Sequence, residues 1–229
     1  NAGECCKMLD AVKRAGVKLQ IGFMRRYDRS YLHARAQVEA GAIGAVVQVK
    51  SLTHGPSNPL PWMFDLRKSN GPLAEVNSHD IDVLRWFTGS EFKSVYAVGG
   101  NFRCPQARID FPDFYDTVSL CAVFKSGMQG VVNGAQGVKY GYDARLEILG
   151  TEGIICVGSL RESAVVACNK DGMKSPIVRS WTDLFADAYL AEDRDFVRCI
   201  MEDDTPKVGG LDGLRAVEVV MAGNESIRS

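Results

Sequence analysis

The sequence predicts an α+β fold: a large open, mostly antiparallel sheet with helices packed on one face, preceded by the last helix–strand pair of an α/β layer. Three observations lead there. Residues 2–23 pass from helical to alternating spacing with no strand before them. From Phe92 onward the hydrophobic period is two over seven runs, several of them separated by short hairpin turns. Two helical stretches then close the chain, which suits helices laid against a finished sheet.

In order, residues 2–15 read as a helix through Cys5, Met8, Leu9 and Val12, stopped by Gly16. Val17, Leu19 and Ile21 alternate as a strand to Phe23. Parallel layers are built from complete βαβ crossovers, so the chain is expected to enter partway through one. This divides it into residues 1–23, the end of an α/β domain, and residues 24–229, a domain with its own core. Asp28 or Ser30 caps a helix running to Gly41, and 45–53 reads as a strand. Prolines 56, 59 and 61 make 54–62 a loop. One helix is expected from Leu73 to Thr88, ended by Gly89. Strands are expected at 92–98, 117–124, 128–134, 144–149, 154–158, 163–168 and 174–179, and helices at 183–202 and 211–227.

Composition narrows the function. The chain is 46% hydrophobic and 24% charged with a net charge of −1, and no basic stripe points to nucleic acid or an anionic membrane. No apolar run is long enough to span a bilayer, and no signal-peptide pattern opens the sequence. The seven cysteines are odd in number and form no C-x-x-C. They read as reduced thiols in apolar patterns, which implies a cytoplasmic location. No G-x-G-x-x-G follows a strand, and neither a Walker pattern nor G-x-S-x-G occurs, so no phosphate cradle or serine nucleophile is indicated.

What remains is a polar stripe. On the expected 73–88 helix, Glu75, His79 and Asp82 stand at i, i+4 and i+7, within about 60° around the axis. A solvated edge carrying a chance Glu–His pair is one explanation. A second makes His79 a general base oriented by Glu75, and a third makes the two residues metal ligands completed by His54. Met24 and Arg25 end a strand, His54 opens a loop, and Tyr140 and Tyr142 precede a strand. Arg, His, Tyr and carboxylates gathered at strand ends would suit a polyhydroxylated ligand, in which every buried hydroxyl needs a partner.

Gly22-Phe23-Met24-Arg25-Arg26-Tyr27-Asp28, His79-Asp80-Ile81-Asp82 with an acidic residue four earlier, and Tyr140-Gly141-Tyr142-Asp143 together resemble the inositol dehydrogenase branch of the glucose–fructose oxidoreductase/inositol dehydrogenase (GFO/IDH/MocA) family. The Phe196-Val197 helix, Thr205-Pro206 and Gly210-Leu211-Asp212-Gly213-Leu214 extend the likeness over essentially the whole chain. The resemblance implies the C-terminal portion of an inositol 2-dehydrogenase-like enzyme. A Rossmann half binding NAD or NADP would precede it, and the open sheet would serve homo-oligomer contacts. Cofactor-binding residues and a supporting lysine would then lie mostly upstream of Asn1, no metal would be needed, and this chain alone would be inactive. Residue by residue, His79 resembles the base that takes the hydroxyl proton of an inositol or related sugar. Glu75 stands where its acidic partner is usually Asp. Met24, Arg25, His54, Asp82, Tyr140 and Tyr142 resemble substrate-pocket positions. Two other readings are a dehydrogenase for another sugar or polyol and a non-catalytic binding or assembly module of the same fold.

Overall fold

The computed structural model describes residues 1–229. Helix α1 (Ala2–Ala15) is capped at its start by the Asn1 side chain and at its end by left-handed Gly16. The segment 17–23 belongs to no strand, which corrects the sequence expectation. Its alternating side chains have no neighbouring strand, and Ile21 N–H donates to Val208 C=O at 3.0 Å. A one-turn 3₁₀ helix, Met24–Tyr27, leads to α2 (Arg29–Glu39), where the Asp28 carboxylate accepts from the backbone of Ser30 and Tyr31.

The six-stranded sheet is built from β1 (Val46–Gly55), β2 (Phe92–Gly100), β3 (Thr117–Phe124), β4 (Gln129–Gln136), β5 (Asp143–Gly150) and β6 (Ile154–Val157). Their spatial order is β2-β3-β4-β1-β5-β6, and every adjacent pair is antiparallel except β1 with β4. Alternation is clean along β3 and β5: Val118, Leu120, Ala122 and Phe124, like Ala144, Leu146 and Ile148, point into the core. The opposite pleat is left to solvent, where Tyr96, Val98, Val123, Leu149 and Ile154 are exposed.

Helices cover the inner face. Short α3 (Leu66–Ser69) and α4 (Gly71–Glu75) precede α5 (Ser78–Thr88), which lies against β1. After the sheet, a small hairpin pairs β7 (Ala167–Asn169) with β8 (Gly172–Lys174). This is less strand than the expected 163–168 and 174–179, because beyond the Ala167–Lys174 pair only Arg161 and Ile177 bridge across. The expected 183–202 helix is divided at Phe185 into α6 (Trp181–Leu184) and α7 (Ala186–Met201). The final α8 (Gly210–Arg228) packs on β2, α5 and α1. All seven cysteines are free thiols, and only Cys104 and Cys199 are buried, so the others do not serve as core hydrophobes. No helix is long and apolar enough to cross a membrane.

Candidate functional site

The expected 73–88 helix is broken. α4 stops at Glu75, the N–H groups of Val76 and Asn77 both return to Pro72 C=O, and α5 starts at Ser78. Glu75, His79 and Asp82 therefore share no helical stripe. Asp82 is 2% exposed and turned inward, accepting from Arg26 Nε at 2.8 Å and Nη2 at 2.5 Å. Asp212 of α8 shares Arg26 and also takes Arg85 Nη1 at 2.6 Å. Asp82 thus ties α5 to α8 as part of an ion-pair network and does not line the cleft, contrary to its expected substrate role.

The break opens a cleft of about 410 Å³. Met24, Glu75, Val76, His79 and Tyr142 line it with Thr53, Gly55, Pro56 and Ser57 from β1 and its loop, Gln136 from β4, and Arg179, Ser180, Trp181 and Tyr189 from around α6 and α7. The His79 ring meets Phe23 edge-on at 5.8 Å between centroids. Its Nδ1 is sealed from solvent and has no hydrogen-bond partner. Burial first, and then the charge of Arg25, push the imidazole down to about 4. The ring is therefore neutral near pH 7 and can accept a proton. Glu75 is exposed beside it, but no hydrogen bond joins the two, so the expected Glu75–His79 dyad is not formed.

Arg25 lies beneath the cleft rather than on its wall. Its Nη1 donates to Asp80 Oδ1 at 2.6 Å and its Nη2 to Thr53 Oγ1 at 2.5 Å. Asp80 also accepts from Ser51 Oγ at 2.5 Å, Thr53 Oγ1 at 3.0 Å and Asn77 Nδ2 at 2.8 Å. Burial alone would lower the Arg25 guanidinium, and the adjacent carboxylate more than reverses that. Both Nη groups and the Asp80 carboxylate find partners inside the protein, while Arg25 Nε has none; at 1% exposed, Arg25 supports the site from beneath.

His54 departs from expectation for a reason of pleat. Ser51 and Thr53 face inward toward Asp80, so His54 projects from the other face of β1. There its Nδ1 meets the Tyr140 hydroxyl, which donates onward to Asp143 Oδ2 at 3.3 Å. Neither His54 nor Tyr140 lines the cleft, whereas Tyr142, two residues on, does. Glu75, His79 and His54 are not gathered as a metal-ligand group. Gln136, Arg179, Trp181 and Tyr189 were not singled out from the sequence. Trp181 and Tyr189 show only a helical apolar spacing, and Arg179 only a charge before a helix cap.

A family model described as the GFO/IDH/MocA C-terminal domain matches residues 31–156, more than half of the chain. The chain belongs to the GFO/IDH/MocA family. It is 33% identical to the scyllo-inositol 2-dehydrogenase (NAD(+)) of Bacillus subtilis, covering 96% of this chain and 63% of that protein. It is 30% identical to the myo-inositol 2-dehydrogenase of Thermotoga maritima, covering 99% and 67%. The chain thus spans somewhat under two thirds of the first of these relatives. A solved probable dehydrogenase from Thermotoga maritima superposes with a TM-score of 0.91 at 29% identity, over all of this chain and 68% of that one. The scyllo-inositol dehydrogenase of Lactobacillus casei, solved with NAD(H) and scyllo-inositol, gives 0.87 at 27% identity over 100% and 68%. Fold and family are those of the inositol dehydrogenases.

Proposed function

We propose that this chain is the substrate half of an NAD-dependent oxidoreductase that oxidises a secondary alcohol of an inositol or related sugar, with His79 as general base. One observation carries the reading: a neutral imidazole, sealed at Nδ1 and bonded to no protein group, stands in the wall of a polar cleft. A buried ring nitrogen left without a partner is costly, so a purely structural role does not account for a histidine at this position. The names of the relatives, inositol dehydrogenases with NAD, supply the substrate and cofactor class.

These 229 residues contain no glycine-rich phosphate turn, so they do not fit the pyrophosphate of a dinucleotide. Residues 1–23 would end the domain that holds it, and residues 24–229 would hold the polyol. A bound nicotinamide would supply the hydride acceptor. This chain's part is to seat the sugar ring among Tyr142, Gln136, Ser57 and Trp181 and to receive the hydroxyl proton on His79. Glu75, which lines the cleft without a bond to His79, would accept from a second hydroxyl. The 229-residue chain alone would be inactive.

The open pleat carrying Tyr96, Val98, Val123, Leu149 and Ile154 is where copies would associate, and the free thiols agree with a cytoplasmic enzyme. The decisive test is His79→Ala in the intact protein assayed on inositols and related sugars. Turnover should fall by roughly 10²–10⁴-fold; unchanged turnover would exclude the base. Sedimentation of the intact protein before and after Tyr96→Asp tests the sheet face, and an unaltered oligomer would exclude it.

A further inference from the structure

We propose that Asn77 and Gly134 form a positioning pair that sets the direction of His79. The inference rests on reading His79 as the base.

No hydrogen bond orients the His79 ring, so its aim depends on where the start of α5 is held. That start is fixed by the residue at the helix break. Asn77 is fully buried, and its Nδ2 donates to Asp80 Oδ2 at 2.8 Å and to Asn133 C=O at 3.3 Å. One carboxamide thereby fastens the break to α5 and to strand β4 together. Its Oδ1 has no hydrogen-bond partner and lies against Gly134.

Gly134 is glycine for reasons of space and not of backbone. It sits within the β4 ladder opposite Thr53 and Val118, at an ordinary strand conformation that any residue adopts. A Cβ there would fall on the Asn77 carboxamide, 2.7 Å from its Cγ and 2.8 Å from its Nδ2. The missing side chain is thus a socket for Asn77. Filling it must push Asn77 away from β4, and His79 follows two residues later. The Oδ1 atom, facing the Gly134 Cα–H, makes at most a weak contact there, so the socket selects position more than energy.

The test uses the intact dehydrogenase with Gly134→Ala, Asn77→Ser and the double variant, and His79→Ala beside them. A displacement of about 1 Å at a reacting group costs up to roughly 10²-fold in rate, so Gly134→Ala should lower kcat by about 10- to 100-fold while KM stays within about threefold. Serine is too short to reach β4 and vacates the space that a Cβ at position 134 would enter. Asn77→Ser in the Gly134→Ala background should therefore recover a large part of kcat, a coupling that independent packing defects would not show. A folded Gly134→Ala variant with normal kcat, or a double variant no better than the single, overturns the pairing. If Gly134→Ala does not fold, Asn77→Ser alone decides: a kcat loss at unchanged KM supports the pairing and normal kcat overturns it. Normal turnover by His79→Ala would instead remove the base reading itself.

Discussion

Arg25 Nη1 lies 2.6 Å from Asp80 Oδ1, and the two side chains are 1% and 0% exposed. An ion pair so deeply buried adds little net stability, but losing one partner strands the other charge in a low-dielectric interior. Asp80→Ala should therefore destabilise the fold by about 3–5 kcal/mol in chemical denaturation. An effect within about 0.5 kcal/mol would show that the guanidinium finds water, and would refute the sealed arrangement.

His79 should titrate near pH 4 in the folded chain, where burial and Arg25 place it, against an ordinary value of 6.5. Because the folded state holds its proton less tightly, the unfolded state binds more protons between about 4 and 6.5. Stability should accordingly fall as pH drops through that window. Following the His79 ring protons by NMR checks the position directly, and a midpoint near 6.5 would contradict it.

Glu192 predicts the opposite slope. It is buried on α7 with Oε1 unpaired, and burial, then Asp193, raise its carboxyl from 4.5 to about 7. Here the folded state keeps its proton while the unfolded state loses it, so stability falls as pH rises from about 4.5 to 7. Glu192→Gln should gain in Tm relative to the parent between pH 5 and pH 8. A constant difference across that range would rule the effect out.

Asp116 is fully buried and holds the turn after β2: one oxygen takes the N–H groups of Phe102 at 2.9 Å, Arg103, and Cys104 at 3.2 Å. Asp116→Ala would orphan the Phe102 and Arg103 N–H groups, while Cys104 N–H keeps Asn101 Oδ1 at 3.0 Å, at a cost of about 2 kcal/mol. Hydrogen exchange should accelerate at Phe102 and Arg103 before it does in β3. Unchanged protection there would mean that another acceptor serves them.

Local pattern carried most of the sheet into the sequence. In β3 each second residue from Val118 to Phe124 is apolar, and the structure buries each of them. The break at Asn77 left no such mark, since neither Val76 nor Asn77 is a helix breaker of the rank of proline. There Asn77 lies against Gly134, 57 positions away, a contact that no helical period can report. The misplacement of Asp82 and His54 has the same kind of origin. Arg26 claims Asp82 through tertiary packing, and the inward turn of Thr53 toward Asp80 sends the next side chain, His54, to the far face. Arg179 and Trp181 stayed unnoticed because the cleft recruits them across more than a hundred residues. Motif likeness reached His79, Met24 and Tyr142 in the cleft, but only the fold separates wall from foundation.

The single parallel pair in the sheet constrains the order of assembly. β1 comes first of the six strands in sequence, yet it lies between β4 and β5, with Gln48 opposite Gln129 and Val46 opposite Gly150. Neither neighbour exists until the chain has been made well past its midpoint, and both closures span long loops whose entropy is lost before any pairing repays it. β3 and β4 are joined by the short turn 125–128, so they are expected to pair before β1 inserts beside β4. Thr53 and Gly55 arrive with β1. The cleft is thereby among the last features to mature, and pulse-labelled hydrogen exchange should protect β3 and β4 before β1.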